Sequence, residues 1–181
     1  SNGYVRLDAS RLTGLYARLF GPQVKFDIAG AKGKGAFYDI KARLDSETLS
    51  VTAVGPADLG KRLAGPGGLA VTGYTPAIER LSLGTVKGQA NFVGRFNGDI
   101  GAFVLRGDVR GANVSLVGYT LASASGPVTL ARAKGEIGIV TSRSGAGGRG
   151  QGYLAALLGP RPTADGDIAI LKDGRVLLMR V

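Results

Sequence analysis

The sequence predicts a mainly β protein: an elongated, curved, groove-like antiparallel sheet with two or three short α-helices. Three observations predict it. Apolar and polar residues alternate along most of the chain, the period of a strand with one face turned inward. Turn signals built on Asn-Gly and Asp-Gly separate the alternating runs. Glycine supplies 31 of the 181 residues while 44% of the chain stays hydrophobic, so the glycines belong to folded structure and not to a linker.

The strands follow in order. Over residues 36–44, Tyr38, Ile40, Ala42 and Leu44 oppose Asp39, Lys41 and Arg43, and over 49–53 the apolar set is Leu49, Val51 and Ala53. Over 86–96, Val86, Ala90, Phe92 and Phe96 share one face while Lys87, Gln89, Asn91 and Arg95 share the other. Phe103, Leu105 and Val109 stand against Arg106 and Asp108, and shorter runs follow at 114–116, 128–130, 137–139, 168–170 and 175–181. Asn97-Gly98-Asp99, Asp165-Gly166-Asp167 and Lys172-Asp173-Gly174 are expected to be turns. Glycines 84, 88, 94, 101, 107, 111 and 118 interrupt the runs, where they permit bulges, strong twist or close packing, hence a curved sheet.

Two stretches carry helical periodicity. Residues 8–20 place Leu12, Leu15, Tyr16, Leu19 and Phe20 on one face, with Asp8 or Ser10 as N-cap and Gly21-Pro22 as stop. Residues 152–158 carry Tyr153, Leu154, Leu157 and Leu158 and stop at Gly159-Pro160. The two match in length and pattern, and each leads to Asp-Ile-Ala, at 27–29 and 167–169, as an internal repeat would. A fainter third copy is Gly60-Lys61-Arg62-Leu63-Ala64-Gly65-Pro66. The expected organisation is a helix plus antiparallel meander over 1–142, a flexible Gly/Ser/Arg-rich loop over 143–151, and the start of a second repeat over 152–181. The apolar run Val176-Leu177-Leu178-Met179 near the last residue reads as part of a longer protein.

Catalytic chemistry finds no footing. Without cysteine or histidine the chain lacks thiolate ligands and nucleophiles, the commonest general base and the commonest transition-metal ligand. Gly30-Ala31-Lys32-Gly33-Lys34-Gly35 lacks the Gly-Lys-Ser/Thr ending of a phosphate loop and reads as a hairpin turn. The acids, among them Asp27, Asp39, Asp45, Asp99 and Asp108, fall at turns or on polar strand faces. No catalytic residue, metal site or cofactor is expected, and the function is expected to be binding.

The formal charge of +10, from 23 Lys and Arg against 13 Asp and Glu, favours anionic partners such as nucleic acid, acidic lipid head groups or lipopolysaccharide. Alternation puts Phe92, Phe96, Phe103 and Tyr38 on the faces opposite Arg95, Arg106 and Arg110, which argues against a base-stacking platform. The apolar positions form a candidate lipid groove: Tyr38, Ile40, Leu44, Val51, Val86, Phe92, Phe96, Phe103, Leu105 and Val109. The same alternation also suits the filled core of a sandwich or barrel, and that alternative stays open at this level.

Leu81-Ser82-Leu83-Gly84-Thr85-Val86-Lys87-Gly88-Gln89-Ala90, Gly107-Asp108-Val109-Arg110-Gly111-Ala112-Asn113-Val114 and Leu157-Leu158-Gly159-Pro160 together resemble the AsmA-like superfamily of periplasmic proteins. The last piece, followed by Asp167-Ile168-Ala169-Ile170-Leu171 and Asp173-Gly174-Arg175, is most similar to its YdbH-type members, relatives of TamB and AsmA often described as "dicarboxylate transport" proteins. The resemblance implies a periplasmic protein held in the inner membrane by a segment absent from this chain. It also implies a curled sheet whose apolar groove conducts phospholipid between inner and outer membranes, with an outer-membrane partner, or serves outer-membrane homeostasis. It carries over no catalytic residues. The rival readings are a basic β module that binds nucleic acid and a structural or adhesive secreted β protein with a closed core.

Overall fold

A computed structural model describes residues 3–8, 23–81, 86–171 and 176–180. The chain enters through β1 (Gly3–Asp8), β2 (Gln23–Lys32), β3 (Tyr38–Ser46) and β4 (Ser50–Asp58). The two-residue β5 (Leu63–Ala64) and β6 (Leu69–Thr75) follow, then a one-turn helix α1 (Ile78–Leu81). Four long strands come next: β7 (Val86–Gly98), β8 (Phe103–Leu116), β9 (Tyr119–Ala133) and β10 (Glu136–Ala146). The two-residue β11 (Arg149–Gly150), helix α2 (Tyr153–Leu158), β12 (Thr163–Ile170) and β13 (Val176–Arg180) complete the described chain.

Eleven strands form one antiparallel sheet in the order β1-β2-β3-β4-β6-β7-β8-β9-β10-β12-β13, with β5 beside β4 and β11 beside β9. Apart from the two-residue β5 and β11, each strand pairs with the next in sequence, so turn chemistry sets the topology. Val117-Gly118 and Lys134-Gly135 both hold positive φ at the two central positions, the two-residue hairpin whose twist matches the strands it joins. At the β7–β8 turn Gly98 has φ 103°, and Asp99 Oδ1 accepts the N–H groups of Gly101 and Ala102 at 2.6 and 2.9 Å. The glycine-rich stretch 30–35 ends β2 and turns back, closed by the Gly33 N–H to Phe37 O bond at 3.0 Å. Within the described residues β1 and β13 each pair on one side only, and the sheet does not close.

The pairing sorts side chains into two faces. One row of Cα partners runs Phe26, Leu44, Val51, Gly73, Phe92, Val109, Gly126. The adjacent row runs Lys25, Asp45, Ser50, Tyr74, Asn91, Arg110, Ser125, Ser144. Partners across a ladder share a face, so the first row lies on an apolar face with glycine where no side chain stands, and the second on a polar one. A bulge keeps the pattern in phase: β8 sets Asn113, with φ 52°, and Val114 opposite Gly88 alone. The extra residue returns Val114 and Leu116 to the apolar side, where their partners Leu121 and Tyr119 join them because β9 breaks its own alternation at Ala122 and Ser123, both exposed.

Three expectations need correction, and one element is new. Residues 143–151 are not a flexible loop: β10 runs to Ala146, and Arg149 and Gly150 pair with Thr120 and Tyr119. A ladder needs backbone partners and not apolar periodicity, and the sheet continues across this segment from β10 into β12. Asp165-Gly166-Asp167 is no turn but the interior of β12, where Gly166 faces Thr141. Gly60-Lys61-Arg62-Leu63-Ala64-Gly65-Pro66 is no helix; Asp58 Oδ1 takes the Lys61 N–H at 3.0 Å and Leu63 pairs with both Asp58 and Asp99. The segment α1 was not foreseen, although Thr75-Pro76 marks it: Thr75 Oγ1 accepts the Ala77 N–H at 3.3 Å beside a proline suited to a helix start. The expected helix over 8–20 and the turn Lys172-Asp173-Gly174 lie outside or largely outside the described residues.

Candidate functional site: the apolar face

All ten groove candidates lie on the one apolar face. Leu44, Val51, Phe92 and Val109 belong to the row above. Ile40 pairs with Gly55 and Tyr38 with Ala57 on β4, while Phe96 pairs with Leu105 and Phe103 with Gly98. Val86 pairs with Leu116 beyond the bulge.

Four of the ten, Ile40, Val51, Phe96 and Leu105, help to line a cavity of about 450 Å³, within the range of ligand sites. Ile40 and Leu105 lie four strand spacings apart, roughly 19 Å across a flat sheet, so a shared cavity means that the sheet curls. The excursion 58–66 between β4 and β6 contributes Leu59, Arg62 and Leu63 to its lining, together with Ile100 from the β7–β8 turn. Leu63 spans from Asp58 to Asp99, so this excursion lies as a lid across the end of β6. The lid residues carry no period-2 signal, and their assignment to a helical repeat hid them.

Val86 lines a second cavity of about 210 Å³ with Leu116, Tyr119, Leu121 and Leu158. Their common face depends on the bulge at Asn113, which alternation read strand by strand does not reveal. Phe96 and Phe103 meet with ring centroids 5.1 Å apart at 34°, a tilted aromatic pair. Tyr38, Leu44, Phe103 and Val109 share the face without lining either cavity. Phe92 borders a polar hollow with Ser50, Thr72 and Asn91 on the opposite side.

Among the described residues the cover of this face is incomplete: Phe26, Leu44, Val51, Phe92 and Val109 are half-buried. Among the described residues Val24, Ile40, Ala57 and Tyr119 are the buried hydrophobic ones. A second layer packed on the sheet would have buried the apolar row.

On the polar face the Arg43 guanidinium binds Asp45, and Ser50 Oγ donates to Asp45 Oδ1 at 2.6 Å. Hydrogen bonds from Arg43 and then Ser50 hold the Asp45 carboxyl below the usual range, and the same Arg43–Asp45 bond raises the Arg43 pKa. Two arginines occupy apolar-face register positions. Arg143, opposite the irregular Gly126 position, donates to the carbonyls of Pro127 and Ser142, and burial lowers its pKa. Arg132, opposite Phe103, donates through Nη1 to Ile100 O at 3.2 Å, while its Nε is buried without a partner.

Among the described residues no three acidic side chains converge as a metal site. No family model, curated protein or solved structure matches the chain. What the apolar face can do follows from its chemistry: it can remove acyl chains from water, at about 0.8 kcal/mol per methylene buried, without a polar constellation.

Proposed function

We propose that this chain is a non-enzymatic, lipid-binding segment of a bacterial envelope protein, whose open apolar sheet face holds acyl chains of phospholipid. In keeping with the AsmA-like resemblance, the parent protein would sit in the periplasm, anchored to the inner membrane by a segment outside this chain. It would carry phospholipid between the two membranes, or serve outer-membrane homeostasis. One observation carries the reading: a row of apolar residues and glycine crosses the open sheet from Phe26 to Gly126 beside a row that is polar throughout. A closed-core structural protein would bury such a row. A nucleic-acid platform would combine stacking aromatics with free arginines, whereas Phe92 and Phe96 lie on the face opposite Arg95 and Arg110, and Arg132, which shares a face with Phe103, is engaged by the Ile100 carbonyl.

Native mass spectrometry with lipid extraction tests it, on chain purified gently from bacteria. Co-purified phospholipid is expected, and Phe92→Asp or Phe103→Asp, shown to be folded by circular dichroism, should lose it. A folded, lipid-free wild-type chain that also fails to take up added lipid would sink the proposal.

A further inference from the structure

We infer that Arg62, on the lid over the larger cavity, anchors the phosphate of the lipid whose acyl chain fills that cavity. This inference rests on the lipid reading above and adds the chemistry of the head group. Four observations point to it. The cavity wall is apolar apart from Arg62 and Asp58, and Asp58 Oδ1 is occupied by the Lys61 N–H. Arg62 is exposed and has no hydrogen-bond or ion-pair partner among the described residues, so its guanidinium is free to take an anion at the cavity mouth. It also holds φ 55°, a left-handed conformation that ordinary side chains seldom adopt and that persists where surrounding structure enforces it. Here the enforcing contacts are the Gly65 N–H to Pro56 O bond at 2.7 Å and the pairing of Leu63 with Asp58 and Asp99.

The fourth observation is a second guanidinium at the same end. Arg132 binds the carbonyl of Ile100, whose side chain lines the cavity, and keeps a buried Nε–H without an acceptor. Leu59 and Ile100 are 49% and 60% exposed, so the cavity opens beside the lid, where a head group would reach water. A phosphate oxygen accepts from the guanidinium fork in a charge-assisted bond, and the tail lies against Ile40, Val71 and Leu105. With the guanidinium groups of Arg62 and Arg132 set against the one Asp58 carboxylate at this end, charge complementarity favours an anionic amphiphile over a neutral one.

Isothermal titration below the micelle concentration, with dodecyl phosphate and dodecanol as probes, tests this. The wild-type chain is expected to prefer the phosphate by about tenfold or more, as a charged hydrogen bond supplies. That ratio should shrink between about 20 and 500 mM salt, as screening shortens the reach of charge. Arg62→Met should bring the ratio near one and Arg62→Lys should keep most of it. Arg62→Gly relieves the backbone conformation, so it should melt no lower than wild type yet lose the preference. Equal binding of both probes by wild type, or an undiminished ratio in folded Arg62→Met, overturns the anchor while leaving the groove standing. Inorganic phosphate binding as tightly as dodecyl phosphate also overturns it. If neither amphiphile binds the folded chain, the lipid reading itself falls, and the anchor with it.

Discussion

The ring of Phe92 lies along its own strand over Gly94: a Cβ placed on Gly94 would stand 2.4 Å from the ring's Cζ. Gly107, the partner of Gly94 on β8, approaches the same ring, with a Cβ there 2.8 Å from Cε2. The two glycines let an aromatic side chain lie flat on the apolar face instead of standing up from it. A flat ring keeps the groove floor low while contributing a large apolar area.

Gly94→Ala should therefore lift the ring and strain the β7–β8 ladder, lowering stability by about 1–3 kcal/mol as overpacking does. The comparison is Gly138→Ala on β10, where a Cβ meets nothing within 4 Å, and where loss of a glycine should be neutral or mildly stabilising. Urea unfolding of the two variants checks this; equal losses would refute the account of Gly94.

Tyr119 is 3% exposed, and its hydroxyl donates to Gly159 O at 2.6 Å, just past the last turn of α2. Tyr119→Phe should cost about 1 kcal/mol and speed amide exchange selectively over residues 153–159. Unchanged exchange there would mean that packing, and not this bond, seats the helix.

Asp45 gives a pH dependence. Its pKa is depressed in the fold by hydrogen bonds from Arg43 and Ser50, so its stabilisation is complete above the ordinary carboxylate range and is lost as pH falls through the depressed value. With Asp45 33% exposed, the effect should be a few tenths of a kcal/mol up to about 1. Asp45→Asn should lower stability at pH 7 and flatten the acid limb of the stability profile. Parallel profiles of variant and wild type would contradict it.

The lid depends on Asp58, which is 8% exposed and fastens the Lys61 N–H. Asp58→Ala should free this turn, and trypsin should cut after Lys61 or Arg62 several-fold faster while the long strands stay protected, as expected of local opening. A uniform rise in cleavage along the chain would show instead that the whole fold had weakened.

Much of the apolar face was legible because alternation is local. Whether Leu44, Phe92 or Val109 points to one side is decided within a few residues of each, and hairpin succession then brings those sides together. The lid was not legible, since the partner of Leu63 is Asp99, far along the chain, and no short-range period announces such a contact. Segment 143–146 was not legible as strand for a related reason: Ser144, Gly145 and Ala146 pair with Ser125, Ala124 and Ser123 on β9, and no local period announces those partners.

By itself, then, the sequence determined the two-sided character of the strands, the separation of Phe92 and Phe96 from Arg95 and Arg110, and the lack of cysteine and histidine, because side-chain direction in a strand depends on parity alone. Only the tertiary structure decided that the described elements leave the apolar side incompletely covered, that a bulge at Asn113 keeps Val114 and Leu116 on it, and that Arg62 lines a cavity. Those outcomes depend on register and on contacts between distant segments, where closing the loop costs entropy that only the assembled sheet repays.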